Sequence, residues 1–201
     1  MKHVSEIVLS ALAMLSLTFV SCAVGLSGSS SGTDEIATYE TVKSALDKLK
    51  SDNSRIIGLS VEAAGSSSEC NTEFGYAQAE IIDSDNNVFL QVFCPDVSKP
   101  RPWNNAKQVK YADVQSLTLD PAKAVAQIEQ CKSMIPEGYR FLSLPSYRIG
   151  LADDKASFET RITLNVQEIG KESIESGGEK TEVYYELHFV IDPDGNVRMI
   201  E

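Results

Sequence analysis

Three hydrophobic rhythms run along this chain, and each predicts a different element. From Ile7 to Val20 the residues are almost unbroken in their apolar character, a run of about 14. Further on, Tyr39, Val42, Ala45, Leu46 and Leu49 recur at helical spacing. They predict a helix over Tyr39–Ser51, with Thr38 as its N-cap and Asp52-Asn53 as its end. Ile57, Leu59, Val61 and Ala63 then alternate with Ile56, Gly58, Ser60 and Glu62, the period of a strand with one buried face. A hairpin follows, with arms Thr72–Ile82 and Val88–Phe93 around an Asp83–Asn87 turn. Residues 95–105 hold three prolines and cannot continue a sheet interior, and Val109–Leu119 predicts a further strand.

The pattern then restarts. Asp120-Pro121 is a favoured N-cap followed by a favoured first helical residue. Ala124, Val125, Ile128, Cys131 and Ile135 form the apolar stripe, and Pro136 and Gly138 end the helix. Tyr139–Ile149 is interrupted by Pro145, which predicts an edge or bent strand. Phe158, Ile162, Leu164 and Val166 alternate with Glu159, Arg161, Asn165 and Gln167 as in a half-buried strand. Residues 168–180 are rich in Glu, Lys, Ser and Gly and predict an exposed loop. Val183, Tyr185, Leu187, Phe189 and Ile191 form the buried side of the next strand, which turns through residues 192–196 into Val197–Glu201.

The expected fold is therefore α+β: a helix followed by antiparallel strands, repeated twice, with the helices packed on one sheet face. Ile82-Asp83-Ser84-Asp85-Asn86-Asn87-Val88 echoes Ile191-Asp192-Pro193-Asp194-Gly195-Asn196-Val197. Duplication explains the echo, and so does shared turn chemistry, since Asp, Asn and Gly favour such turns. The echo is offset by more than the two helices are, so a duplicated second half must carry an extra hairpin or long loop. The expected boundaries are 36–119 for the first αβ subdomain and 120–201 for the second.

The first apolar run is too short to span a bilayer, which takes about 20 residues. It follows Lys2 and His3 and stops at Leu17-Thr18-Phe19-Val20-Ser21-Cys22, which resembles a bacterial lipobox. That resemblance implies a signal peptide over 1–21 and lipid on Cys22. Residues 22–35 include the run AVGLSGSSSGT and predict a Gly/Ser-rich tether. The expected place is the cell envelope, anchored to a membrane by lipid, with the domain in the periplasm or at the cell surface. Ala23 after the cysteine resembles outer-membrane rather than inner-membrane sorting.

The net charge of −11 argues against a nucleic-acid partner. Of the four cysteines, Cys22 is assigned to lipid, leaving Cys70, Cys94 and Cys131 in an oxidising compartment. Cys70 and Cys94 flank two adjacent predicted strands at the same end of the hairpin, so a Cys70–Cys94 disulfide is expected. Cys131 falls on the apolar side of the second helix, as a buried thiol acting as a small hydrophobe would.

No motif in the chain carries chemistry unambiguously. The two Asp-x-Asp-x-Asn turns resemble the opening of a calcium loop, but the twelfth position from Asp83 is Cys94, not the glutamate such a loop requires. Glu182, Tyr184, Glu186 and His188 share a strand face, yet no further histidine follows the signal peptide to complete a metal site. No nucleophile elbow and no phosphate-binding glycine loop is present. No metal and no cofactor is expected. Trp103, the one tryptophan, sits with Arg101 in the proline-rich loop. It is either an exposed binding residue or a cap on the core edge.

The helix-then-strands order, closing with Tyr184-Tyr185-Glu186-Leu187 and Asp192-Pro193-Asp194-Gly195-Asn196-Val197, resembles the PepSY-like and β-lactamase-inhibitor-protein-like group. That resemblance implies a small exported domain without catalysis that binds a protein partner or envelope component. The competing expectation is a hydrolase acting on an envelope polymer through acidic residues.

Overall fold

The computed structural model describes residues 32–65, 70–93, 97–103, 109–176 and 179–200. The expected signal peptide over 1–21, Cys22, the expected tether up to residue 31 and Cys94 lie outside them. The chain is α+β, with two helices and a large antiparallel sheet. Helix α1 is Ile36–Leu49, followed by strands β1 (Ser54–Ala63), β2 (Phe74–Asp83), β3 (Val88–Phe93) and β4 (Arg101–Pro102). Helix α2 is Pro121–Ser133, followed by β5 (Tyr139–Leu151), β6 (Phe158–Glu168), β7 (Ser173–Ser176), β8 (Glu179–Glu182), β9 (Tyr185–Ile191) and β10 (Val197–Ile200). The large sheet has the order β10-β9-β6-β5-β1-β2-β3-β4, while β7 and β8 pair only with each other. Its two halves mirror one another about the antiparallel β1–β5 pair.

Neither helix is long enough to be stable alone in water. Burial against the sheet holds them. Tyr39, Val42 and Leu46 of α1 and Ala124, Ile128 and Cys131 of α2 join one core. Leu59 and Val61 of β1, Ala77, Ala79 and Ile81 of β2, Ile162 and Leu164 of β6, and Phe189 of β9 complete it. Each large apolar side chain buried there contributes roughly 1.5–3 kcal/mol. Tyr39 meets Tyr147 of β5 edge-to-face at 5.1 Å, and the Tyr147 hydroxyl donates to Gln127 Oε1 at 2.9 Å.

The second helix starts as its sequence predicts: Asp120 accepts from the Ala122 and Lys123 amides at 3.0 and 3.2 Å. The first starts earlier than its periodicity suggests. Thr38 is a helical residue rather than the cap, and its hydroxyl donates to the Gly32 carbonyl. Residues 32–35, assigned to the tether, dock on the domain instead. Thr33 is buried, donating its amide to Thr72 O at 2.7 Å and its hydroxyl to Leu144 O at 3.0 Å. Asp34 pairs with Lys132 of α2 at 2.6 Å.

Three other expectations change. Tyr139–Leu151 is a central strand, not an edge, paired with β6 and β1. Pro145 is accommodated because the β5–β6 register breaks between Ser143 and Ser146, where no ladder donor is needed. Val109–Leu119 is not a strand. It contains a single 3₁₀ turn at Tyr111–Asp113, and Val114, Leu117 and Leu119 are buried without a ladder. Val114 packs with Ile57, Ile82 and Leu151, whereas Leu117 and Leu119 join the helix-side core, so the segment wraps from one sheet face to the other. Residues 168–180 are not all loop, since the β7–β8 hairpin begins within them.

Candidate functional site

Residues paired directly across a ladder point to the same face of a sheet. The helices cover one face, so the register identifies what stands on the other. One row runs Gln78, Ser60, Arg148, Arg161, Val190 and Arg198 across six strands. Beside it run Tyr76, Glu62, Ser146, Thr163, His188 and Ile200. On the other side run Leu90, Glu80, Gly58, Gly150 and Glu159. The face is thus polar and mixed in charge.

Two depressions of about 520 and 590 Å³ lie on it, and both are lined by Glu62, Tyr76, Arg148 and Arg161. The two adjoin at these shared side chains along the centre of the sheet, and together they make up a trough. Gly150, opposite Gly58, contributes to the larger depression by carrying no side chain. A Cβ at Gly150 would meet nothing within 4 Å.

Arg148 and Arg161 are direct cross-strand neighbours at the middle of the trough. Glu62 Oε1 accepts from Arg148 Nε at 3.0 Å and lies 2.9 Å from its Nη2. Glu159 Oε1 does the same for Arg161, at 2.8 and 2.7 Å. The side chains of Arg148 and Arg161 are 60 and 61% exposed, those of Glu62 and Glu159 only 14 and 17%. The guanidiniums therefore stand at the surface, each steered by a carboxylate beneath. Surface pairs of this kind contribute at most about 1 kcal/mol each, so they orient the arginines more than they stabilise the fold.

At the other end of the trough, buried Asn165 donates to Ser143 Oγ at 3.0 Å and to Cys70 Sγ at 3.6 Å. Its Oδ1 has no hydrogen-bond partner among the described residues. Burial pushes the Cys70 thiol above its ordinary value, and the charge of Glu182 adds to the shift. That is the opposite of nucleophile activation. His188 Nε2 lies 3.6 Å from Glu186 Oε2 on the same face. No group of three metal-ligating side chains exists among the described residues.

Trp103 is brought to this trough. Its amide donates to Val88 O at 2.8 Å, and its half-buried side chain lines the larger depression with Gln78 and Glu80. Arg101 is exposed opposite Leu90. Both loop candidates thus stand at the rim of the face. Cys70 carries a free thiol against β6, and Cys94 lies outside the described residues. Cys131 is fully buried and its thiol is pushed up to about 12 by burial, in keeping with a packing role. The arginine pair was not singled out from sequence. Its signal is the alternation in β6, which sets Arg161 on a polar face, but its neighbour is revealed only once β5 is known to pair with β6. No family model, no curated protein and no solved structure matches this chain.

Proposed function

We propose that this chain is a non-catalytic binding module that docks a partner protein on the open face of its sheet. Lipid on Cys22 would hold it in the cell envelope. The observation that carries the reading is the pair of adjoining depressions, whose linings bring Trp103, Tyr76 and the two guanidiniums together on a sheet backed by helices. Aromatic and arginine side chains dominate the energetics of protein docking. Among the described residues, no helix is long and apolar enough to cross a membrane, so attachment to one rests on the lipid in this proposal.

The same reading includes a doubled unit. From the first half to the second, the helix start moves from Ile36 to Pro121, the first strand from Ser54 to Tyr139 and the second from Phe74 to Phe158. Those are shifts of 85, 85 and 84 positions. The next two strands, from Val88 to Tyr185 and from Arg101 to Val197, shift by 97 and 96. The jump coincides with the β7–β8 hairpin, the extra hairpin a duplication requires. Ala77, Ala79 and Ile81 fall 85 positions before Ile162, Leu164 and Val166, and all six are buried. The Asp83 and Asp192 turns take no part in this alignment. One joins β2 to β3 and the other joins β9 to β10, so shared turn chemistry accounts for the echo.

Affinity capture from detergent-solubilised envelope, using the full-length chain, tests the function. Partition of the chain into the detergent phase reports the lipid. A Gly150→Phe substitution, which fills the trough, is expected to reduce recovery of the partner about ten-fold or more. Lys48→Glu on the exposed side of α1 is expected to leave recovery unchanged. Equal recovery with Gly150→Phe would remove the open face from the account.

A further inference from the structure

We propose that Arg148 and Arg161 together bind a carboxylate, presented by an acidic side chain of the docking partner. This deepens the binding-face reading and rests on it.

All six arginines of the chain lie on the side of the sheet away from the helices, Arg55 beneath the segment 109–114, where its Nη1 donates to the Tyr111 and Val114 carbonyls. Arg148, Arg161 and Arg198 are placed there by the central row of the register. Arg55 is placed by its pairing with Ile82, Arg140 by Gln167 and Arg101 by Leu90. None of the twelve lysines of the chain lies in a strand of the large sheet. Solubility alone would be served equally by lysine. Arginine differs in its rigid planar fork of donors, which matches a carboxylate at two points.

Like charges directly opposite in a ladder are destabilising. The chain nevertheless sets Arg148 against Arg161. Each presents its Nε/Nη2 edge to a single carboxylate oxygen below. The Nη1 donors of both have no hydrogen-bond or ion-pair partner among the described residues. Gly150, paired with Gly58, leaves open space one ladder step away, through which an incoming side chain can reach them, while the Glu80 side chain lies over Gly58. An oxyanion between the guanidiniums relieves their repulsion and satisfies donors on both.

The surroundings select the kind of oxyanion. Glu62, Glu80, Glu159 and Glu186 stand on the same face, so a dianionic phosphate meets more repulsion than a singly charged carboxylate. The net charge of −11 opposes any anion at long range. At physiological ionic strength that field is screened beyond about 8 Å, while contact at the arginine pair is not.

The test is an NMR titration of the full-length chain, following the arginine Nε–H resonances. The probes are the capped pentapeptide Ser-Gly-Glu-Gly-Ser, its Gln counterpart and inorganic phosphate, all at matched ionic strength. The Glu peptide is expected to shift the Arg148 and Arg161 signals and to bind about five-fold more tightly than the Gln peptide. An Arg148→Gln/Arg161→Gln chain is expected to lose that preference, and Gly150→Phe to lose binding with its melting temperature preserved. Equal affinity for the two peptides, or phosphate binding as tight as the Glu peptide, would overturn the carboxylate. If Gly150→Phe still abolishes capture in that case, the docking face stands and only its chemistry fails. If capture also survives Gly150→Phe, the face itself fails.

Discussion

Asp192 holds the β9–β10 turn with its carboxylate. Oδ1 accepts from the Asn196 amide and Oδ2 from Asn196 Nδ2, both at 2.9 Å. The side-chain bond from Asn196 and then the backbone bond hold the carboxyl below its ordinary value. A carboxyl depressed in the folded state stabilises the fold above its unfolded value, near 3.8, and that contribution is lost as pH falls through the lower folded value. Asp192→Asn removes the titrating group. The expected result is a lower melting temperature at neutral pH and a shallower loss of stability below about pH 4. Melting curves across pH 2–7 for both chains check this, and parallel acid limbs would contradict it. Residues of this kind were legible in the sequence because their partners are local. Asp120 as a cap and Cys131 as a packing thiol belong with them. Thr33 was not legible, since its partners Thr72 and Leu144 are distant in the chain.

At the scale of elements, alternation found β1, β6 and β9, each with one face on the helices and one on the trough, and the Asp83–Asn87 turn found β2 and β3. Alternation failed where the chain serves another purpose. The segment 109–119 carries buried apolar residues at strand-like spacing, but it crosses the sheet end, and Leu117 N donates to Ile56 O at a bulge in β1. The β7–β8 hairpin has no apolar period because it packs on no core, leaving Ile174 62% exposed. Pro145 made β5 look marginal, although a register break shelters it. Close packing between elements yields a sharp prediction at Gly75, in β2. A Cβ there would lie 2.6 Å from Ala63 O and 2.7 Å from Ala64 N, both backbone atoms that cannot rotate away. Gly75→Ala is therefore expected to cost about 1–3 kcal/mol, as overpacking does. Gly150→Ala, entering open space, is expected to change stability by no more than about 0.5 kcal/mol. Denaturant midpoints for the two chains separate these outcomes, and equal midpoints would show that β1 and β2 can part at no cost.

At the scale of the whole molecule, the proposed doubling divides the fold into two helix-and-four-strand units that would meet in one sheet at the β1–β5 seam. The β7–β8 hairpin is the one paired element outside that plan among the described residues. It attaches to the rest chiefly through Gln167, whose Nε2 donates to Glu172 O at 3.2 Å and Val183 O at 3.3 Å. In the first half a short turn suffices at the matching place, between β2 and β3. Replacing residues 168–183 with Asn-Gly joins Gln167 to Tyr184 by a two-residue turn, the length that suits an antiparallel pair. The register from Thr160↔Ile191 to Val166↔Tyr185 is untouched by the excision. Its expected cost is the two Gln167 bonds and the bond from the Ile169 amide to Gly138 O, at about 1 kcal/mol each, balanced in part because Gln167 and Gly138 regain water. For a chain of this size the melting temperature should then fall by no more than about 4–8 °C in a single cooperative transition. An insertion into a doubled unit behaves this way, because the core beneath it was complete without it. Loss of cooperative unfolding would instead make the hairpin part of the founding core, and the alignment of the halves would no longer account for the jump between their strands.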